Sequence, residues 1–550
     1  MKKTYLILLL FVSTFIFNSQ LKAQSGATKA VSNYASDTLN INNVSANFLP
    51  FGNDFWRDSP VSTIHQYVVP AGSGKSTVFT SIPWIGGLDQ SNNLHLAGET
   101  YRANSEDYFF GPVLDTNTLA QYSDSLWNRV WKISKAEIDY HKNNYWKSSY
   151  VVPEAIANWP AKGDPNLGQN TVMAPFIDKN NDGNYVPTDG DYPKMRGDQM
   201  VFLIFNDSRS AHTESGGLPL GVEYHQTAYA YDCSSDTALN HTVFVHYDIY
   251  NRSAHNYHDV YLGIFTDFDI GYGYDDYIGC DSSRNMYYGY NGTAIDGIGL
   301  MGDYGANPPA QGVVLLSDTM TSFISFNNIG LSGVQRDPES DTNFYDYMRA
   351  RWGDGSYLTY GGDGYQGTTP VNYIYSGDPN DTNTWSEAYP KGTQIAPYDR
   401  RGTGSIAPFS LDAGAVKSLD IAYVYARESG KSNIENVTVL KRFVDDIQGY
   451  YDNDSTPCGG SFTAIAKANL NTNKIRIYPV PADNEVFVDY LPTSNTASYE
   501  VYSISGQLLQ SGRLNKQKTH RLDFTDYKAG LYFVLIRDGA HVLSKKLIIE

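Results

Sequence analysis

Apolar and polar residues alternate in many short runs along this chain, and a period of two predicts β-strands. In His241–Tyr250 the apolar positions share one face: Val243, Val245, Tyr247 and Ile249. Val260–Phe265 and Ser418–Ala426 show the same alternation. We expect Val260–Phe265 to be the neighbour of His241–Tyr250 in one sheet, because consecutive strands often pair.

Ser432–Tyr451 follows a helical period instead, and its apolar positions fall on one helix face: Ile434, Val437, Leu440, Val444 and Ile447. Ser432 and Glu435 stand at the spacing of a capping box. A second helix is expected within Trp127–Tyr145. The predicted fold class is therefore mainly β: a large, sandwich-like core with helical insertions.

Residues 474–550 stand apart because short strand patterns follow one another closely. The predicted strands are Ile475–Tyr478, Glu485–Tyr490, Tyr499–Ser503, Gln507–Ser511, Thr519–Phe524, Leu531–Ile536 and Val542–Ile549. Turn residues separate them, as at Ser505 and Gly506. About seven short strands in such a span are typical of a small immunoglobulin-like β-sandwich.

The first 23 residues have the pattern of a secretory signal peptide. Lys2 and Lys3 form a positive start, Tyr5–Phe17 is mostly apolar, and a cut ahead of Gln24 would follow a small residue. No later apolar run approaches the roughly 18 to 20 residues that a membrane-spanning helix needs. We therefore expect export, with no transmembrane segment in the mature chain.

These patterns divide the chain into four segments. A signal peptide occupies 1–23, a β-rich secreted core 24–451, a linker 452–473 and the immunoglobulin-like domain 474–550. The linker is predicted from the turn-forming residues that follow the helix.

The charge balance is acidic, with 41 Lys plus Arg against 59 Asp plus Glu and a net charge of −18. Nucleic acid and anionic membranes are recognised by basic patches, so neither is an expected partner. The acidic excess favours cation binding or is simply a solvated surface. Cys233, Cys280 and Cys458 allow one disulfide and one free thiol, but no disulfide framework.

Four blocks of the C-terminal domain occur in the order typical of one family: Ile477–Ala482, Val501–Gln507, Ala529–Tyr532 and Lys545–Ile548. The domain resembles the type A sorting domain of the type IX secretion system of Bacteroidota, which usually has Asn where Val480 stands. The resemblance implies that the type IX secretion machinery carries the protein across the outer membrane. The cargo would then be released, or attached to surface lipopolysaccharide after cleavage of the domain.

The central region also resembles a broad set of large secreted Bacteroidota proteins that bear the same sorting domain. The resemblance covers roughly residues 46–451 and includes Trp84–Gly87, Gly190–Pro193 and Asp275–Asp281. The resemblance implies one long cargo module, but it does not imply any particular activity.

A calcium-loop pattern, D-x-N-x-D-G with a carboxylate at position 12, occurs between 178 and 189. The candidate ligands are Asp178, Asn180, Asp182, Asn184 and Asp189. Ca²⁺ takes six to eight oxygen ligands, and alternate residues of a curling loop converge on one point. Pro175 and Pro187 argue against flanking helices, so we expect an isolated Ca²⁺ loop. The alternative is an Asx-rich surface turn.

A second acidic group comprises Asp267, Asp269, Asp275, Asp276 and Asp281. Asp267 and Asp269 would share a strand face, and the turn at Gly271 and Gly273 would bring Asp275 and Asp276 beside them. Crowded carboxylates repel one another unless a cation neutralises them, so these residues are candidate metal ligands. A solvated loop and a catalytic acid pair of the glycosidase kind remain alternatives.

No catalytic residue is assigned, because neither an H-E-x-x-H nor a G-x-S-x-G motif is present. The sequence therefore predicts a secreted or cell-surface protein, stabilised by Ca²⁺, that binds or adheres. Its expected ligands are glycans, surface lipopolysaccharide or other surface proteins. The alternative function is a secreted glycan-directed hydrolase that uses an aspartate pair within residues 267–281.

Overall fold

The computed structural model describes residues 34–56, 66–101, 105–114, 127–327, 333–462, 476–490, 492, 497–503, 507–538 and 541–549. These residues fold mainly as antiparallel β-structure with few helices, which confirms the predicted fold class. They form two compact units, one reaching to Gly449 and the other from Tyr450 onwards together with Lys194–Arg196. The predicted signal peptide lies outside the described residues, as does 463–473 of the predicted linker.

The core strands, in chain order, are β1 (Asp37–Leu39), β2 (Ser45–Phe48), β3 (Tyr67–Val68), β4 (Ser76–Val78), β5 (Thr80–Leu88), β6 (Leu94–Ala97), β7 (Phe109–Phe110), β8 (Trp131–Ser134), β9 (Phe176–Ile177), β10 (Tyr192–Pro193), β11 (Gln199–Asn206), β12 (Val222–Ala230), β13 (Thr242–Asn251), β14 (Tyr257–Phe268), β15 (Asp276–Asp281), β16 (Met286–Asn291), β17 (Ile295–Asp296), β18 (Gly305–Ala306), β19 (Ala310–Leu315), β20 (Ser322–Phe326), β21 (Arg400–Leu411) and β22 (Val416–Ala426). The helices are α1 (Lys135–Lys142), α2 (Glu154–Ala157), α3 (Thr237–Asn240), α4 (Asp341–Met348) and α5 (Asn433–Asp452).

Two large sheets face each other across the main hydrophobic core. Among the described residues, one sheet has the order β15-β16-β19-β22-β13-β12-β11-β7, with β8 also on β11, and the other has the order β20-β21-β14-β5-β6. The Tyr287 ring of β16 stacks on Phe323 of β20 at 5.1 Å. The Tyr423 hydroxyl of β22 donates to Ser81 Oγ of β5 at 2.8 Å. These contacts make the core a sandwich, as the alternation predicts.

The predicted pairing of β13 with β14 is wrong. β13 lies between β12 and β22 in one sheet, whereas β14 lies between β5 and β21 in the other. Both edges of β13 are occupied, so the chain crosses to the opposite sheet after Asn251. Alternation shows which side chains are buried, but it does not show which strand edge receives the next strand.

The long helix agrees with its prediction. The Ser432 N–H donates to Glu435 Oε2 at 2.9 Å, and the Glu435 N–H donates to Ser432 Oγ at 3.2 Å, which completes a capping box. Leu440 packs on β19, where a Cβ placed on Gly312 would lie 3.2 Å from Leu440 Cδ1. The stretch Trp127–Tyr145 contains the expected helix as α1, but strand β8 precedes it.

The C-terminal unit contains seven described strands, which correspond to the seven predicted ones. They are β23 (Arg476–Tyr478), β24 (Glu485–Asp489), β25 (Ser498–Ser503), β26 (Leu508–Arg513), β27 (Thr519–Asp523), β28 (Gly530–Asp538) and β29 (His541–Ile549). They form two sheets, ordered β23-β24-β27 and β26-β25-β28-β29, around a core that includes Val486, Val501 and Val534. This arrangement is consistent with an immunoglobulin-like domain, although the turn at Ser505 and Gly506 lies outside the described residues.

Candidate functional site

An acidic cluster forms where β14 ends and β21 begins. In this antiparallel pair Asp267 is opposite Arg401, and Phe268 is opposite Arg400. The next position in register places Asp269 opposite Asp399. Because side chains alternate along a strand, these aspartates and Arg401 belong to one face.

The carboxylates of Asp267, Asp269 and Asp399 approach closely, and we call them the Asp267 cluster. Each offers one oxygen that lies within 4.8 Å of the other two. Asp267 is 4% exposed and Asp399 is 7% exposed, whereas Asp269 is half-buried. Three acids so close together need positive charge to stay ionised.

Arg401 provides part of that charge. Its Nη2 donates to both carboxylate oxygens of Asp399, at 2.8 and 2.7 Å, and lies 3.6 Å from Asp267 Oδ2. Its Nη1 donates to Asp337 Oδ1 at 3.1 Å. One guanidinium therefore contacts three carboxyl groups, and Asp269 adds a fourth acid to the site. A further cation could neutralise the remaining negative charge.

The cluster is electrostatically strained. Burial raises the pKa of Asp267 well above its usual value against the opposing effect of Arg401, and the charges of Asp399 and Asp269 raise it further. Burial and the Asp399 charge raise the pKa of Asp269 to about 7, although Arg401 opposes this. The Tyr101 hydroxyl donates to Asp267 Oδ2, while Asp267 Oδ1 has no hydrogen-bond partner among the described residues. A bound cation would relieve each of these conditions.

Of the five acids in the predicted group, Asp267 and Asp269 belong to the set that converges among the described residues, and the third member of that set is Asp399. Asp275 accepts hydrogen bonds from Asn291 Nδ2 at 2.6 Å and from the Gly297 N–H at 3.0 Å. Asp275 is thus engaged by donors of its own.

Asp276 and Asp281 also lie outside the Asp267 cluster. Asp276 is fully buried and accepts from the Ile270 N–H at 2.9 Å. Asp281 forms an ion pair with Arg284 at 2.8 Å and lies 3.7 Å from Lys441. Burial raises the pKa of Asp276, the hydrogen bond from Ile270 opposes this, and the charges of Asp269 and Asp275 raise it further. Asp276 is therefore near the cluster, although it is not one of the three converging acids.

In the predicted Ca²⁺ loop, which we call the Asp178 loop (178–189), side-chain oxygens accept hydrogen bonds from backbone N–H groups of the same loop. Asp178 Oδ2 accepts from the Gly183 N–H at 2.7 Å, and Asp182 Oδ1 accepts from the Asn184 N–H at 2.7 Å. Asn180 Oδ1 accepts from the Asp182 N–H at 3.1 Å. Hydrogen bonds from Asn184 and Asn180 lower the pKa of Asp182, so its carboxylate is an anion at neutral pH.

The base of this loop is fixed by Asp191, which the sequence pattern does not single out. Asp191 is fully buried, and it accepts from the Lys179 N–H at 2.9 Å and from the Val186 N–H at 2.8 Å. β9 and β10 pair directly outside the loop. Asp189 is exposed and ends a short 3₁₀ turn, Pro187–Asp189, so it remains available as a ligand.

Sequence reasoning missed Asp399, Asp337 and Arg401. All three lie far along the chain from Asp267. The β14–β21 register brings Arg401, and with it Asp399, to Asp267, whereas Asp337 joins through its hydrogen bond from Arg401. The available signal was the run Asp399, Arg400 and Arg401 where β21 begins. This run does not show which strand pairs with it.

Among the described residues, no helix is both long and apolar enough to cross a membrane. Of the cysteines, Cys280 is a buried free thiol, whereas Cys233 and Cys458 are disulfide-bonded.

Comparison with curated proteins gives no match. Among solved structures, the chain is similar to a polysaccharide lyase at 8% identity and a TM-score of 0.19, over 60% of this chain and 34% of the lyase. It is also similar to the BSP domain of a biofilm-associated protein at 9% identity and a TM-score of 0.14, over 64% of this chain and 59% of that one. Such low TM-scores support no conclusion about the core.

The C-terminal domain matches a known family. The profile described as a secretion system C-terminal sorting domain covers residues 476–550, which include the seven strands of the second unit. Residues 476–550 thus belong to the sorting-domain family, and this protein is cargo of the type IX secretion machinery, released from the cell or attached to its surface.

Proposed function

We propose that the exported core is a binding protein that acts outside the cell and is stabilised by Ca²⁺. The observation that carries this proposal is the Asp267 cluster, whose three carboxylates converge within 4.8 Å. Its ligands on this proposal are glycans, surface lipopolysaccharide or other surface proteins.

The donor chemistry favours Ca²⁺ at this position. All three converging groups are carboxylates, and oxygen ligands are those that hard cations such as Ca²⁺ prefer. Arg401 neutralises one charge of the four acids around it. A divalent cation would neutralise two more and would give Asp267 Oδ1 a partner.

The Asp178 loop supplies a second proposed Ca²⁺ site. Its side-chain oxygens at Asp178, Asn180 and Asp182 already turn toward the loop interior, where they accept backbone N–H groups. The backbone carbonyl of Asn184 and the carboxylate of Asp189 would complete the ligand set, as the spacing predicts.

Binding is favoured over hydrolysis because four of the five acids within residues 267–281 are buried or engaged, Asp275 by Asn291 and the Gly297 N–H. A glycosidase needs two acids that reach either side of a scissile bond. Asp267 and Asp276 are almost completely buried, and Asp281 is engaged by Arg284. A glycan-directed hydrolase remains the alternative, and hydrolysis of any polysaccharide by the purified protein would establish it.

Thermal unfolding with Ca²⁺ and with a chelator tests the proposal. A ligand that binds only the folded state at a hundred times its Kd stabilises that state by about 2.7 kcal/mol. We expect Ca²⁺ to raise the Tm of the wild type and to raise it less in Asp399→Asn. Asp281→Asn is the matched control, since it removes an acid outside the cluster and should keep the full Ca²⁺ increment. A wild-type Tm that is the same in Ca²⁺ and in chelator would refute the proposal.

A further inference from the structure

Three tyrosines lie together on the surface beside the Asp267 cluster, and we call Tyr272, Tyr274 and Tyr398 the tyrosine face. The ring centroids of Tyr272 and Tyr274 are 5.6 Å apart, and those of Tyr274 and Tyr398 are 5.4 Å apart. Tyr274 is 53% exposed and Tyr398 is 43% exposed, while Tyr272 is half-buried. The molecule therefore presents a continuous aromatic surface to solvent at this point.

The backbone that carries these rings is held in place. The Tyr272 N–H donates to Asp296 Oδ1 at 3.0 Å, and the Tyr398 N–H donates to the Asp276 carbonyl at 3.0 Å. Asp296 and Asp276 are themselves buried. A surface fixed before binding loses little conformational entropy when a ligand arrives, which favours a recognition role.

Carboxylates border the rings. Asp399 directly precedes β21 and follows Tyr398 in the chain, and Asp269 packs against Gly273, where an added Cβ would overlap its Oδ1. Partial burial raises the pKa of Tyr274, and the charges of Asp399 and Asp269 raise it further, as expected for acids next to the ring. The surface thus combines aromatic faces with negative charge beside them.

We propose that the tyrosine face binds a neutral glycan. This inference rests on the proposed binding function and names its ligand class and site. Aromatic rings offer apolar faces that pack on the C–H faces of sugar rings. The negative charges of Asp269 and Asp399 beside the rings disfavour acidic polysaccharides.

A protein partner fits this surface less well. Ile298, Leu300 and Met301 are exposed in the 297–303 segment, and they would suit an apolar protein surface. Such a surface would, however, bring an apolar medium over the charges of Asp269 and Asp399 beside the rings, and burying charge further is costly. A glycan reduces that cost because its hydroxyls are polar.

Affinity electrophoresis of the mature protein in Ca²⁺ buffer tests the site. The probes are laminarin, xylan, mannan and starch as neutral polysaccharides, with alginate and polygalacturonate as acidic ones. We expect at least one neutral probe to slow the wild type. Tyr274→Ala and Tyr398→Ala should each weaken that binding about tenfold, as the loss of a central aromatic contact does.

Tyr140→Ala is the matched control. Tyr140 is 56% exposed and belongs to α1, which adjoins β8, whereas Tyr274 precedes β15 at the opposite edge of the same sheet. This variant should bind like the wild type. The inference is overturned if no neutral probe slows the wild type, if the acidic probes alone do, or if the double variant at 274 and 398 still binds.

Melting curves of the same preparations separate the two claims. A Tm that rises with Ca²⁺ in a protein that binds no neutral probe would leave the Ca²⁺ proposal standing and remove the glycan site. If glycan binding is lost in the tyrosine variants but the Tm does not depend on Ca²⁺, the glycan site stands and the Ca²⁺ proposal is refuted.

Discussion

His212 is a buried residue whose surroundings fix its protonation state. Its Nδ1 lies 2.7 Å from the Leu96 carbonyl, and its Nε2 lies 2.6 Å from the Asp207 carbonyl. Carbonyl oxygens can only accept hydrogen bonds, so both ring nitrogens must carry a proton. The carboxylates of Asp107 and Asp207 lie 3.6 and 3.9 Å from the ring and balance the resulting charge.

This arrangement predicts a loss of stability at alkaline pH. Burial alone lowers the pKa of His212, but Asp207, Asp107 and the two carbonyl acceptors outweigh it, so the folded-state pKa is raised. The contribution of His212 to the stability of the fold is therefore complete below the ordinary histidine pKa of about 6.5. It is lost as the pH rises through the pKa that His212 has in the folded state. We expect the Tm of the wild type to fall from pH 6 to pH 9.

His212→Gln is the matched variant for this prediction. It should be less stable at neutral pH by about 3–5 kcal/mol, because two buried carboxylates lose their partner. Its Tm should also depend less on pH than that of the wild type, since it has no imidazolium to deprotonate. Equal pH slopes in the two proteins would show that His212 is not the titrating group. Glu99 and Glu214 also face this region, and both proteins retain them.

At the scale of single elements, the cap of α5 gives a quantitative prediction. Ser432→Ala removes the side-chain acceptor for the Glu435 N–H and should lower the free energy of unfolding by about 1 kcal/mol. Glu435→Gln should have a smaller effect, because the amide oxygen still accepts from Ser432. Tryptophan fluorescence during urea unfolding is the measurement, since all 8 Trp lie upstream of residue 451. A Ser432→Ala protein as stable as the wild type would contradict this account of the cap.

The Asp178 loop gives a second prediction at this scale. Replacing Asp178 and Asp182 with Ala should remove part of the Ca²⁺-dependent rise in Tm, because both supply oxygens toward the loop interior. Asp191→Ala should instead lower the Tm equally with and without Ca²⁺, since Asp191 holds the loop base through backbone N–H groups. If the double variant keeps the whole Ca²⁺ increment, the loop is an Asx-rich turn and not a Ca²⁺ site.

Local patterns predicted the elements much better than they predicted the site. Alternation located β13, β22 and the seven C-terminal strands, and the capping box located the start of α5, because both signals depend on neighbouring residues. The Asp267 cluster depends on the register between β14 and β21, which are far apart in the chain. No local pattern contains that register, so Asp399 could not be found from the sequence.

At the scale of the whole molecule, the sorting domain predicts the fate of the protein. Deleting residues 531–550 removes β29 and almost all of β28, both of which contribute to the domain core through Val534 and Leu547. We expect the truncated protein to accumulate in the periplasm, as measured by immunoblotting of cell fractions. As a control, residues 474–550 fused to an unrelated periplasmic protein should carry it out of the cell. Normal amounts of truncated protein in the medium would contradict the export route.

If Ca²⁺ is part of the folded core, as proposed, calorimetric titration of Ca²⁺ into the chelator-treated mature protein should show saturable binding in the wild type. Asp267→Asn with Asp269→Asn should remove the contribution of the Asp267 cluster and leave that of the Asp178 loop. The proposed Ca²⁺ sites would be refuted by the absence of any heat of binding at millimolar Ca²⁺ in a protein that is folded by tryptophan fluorescence.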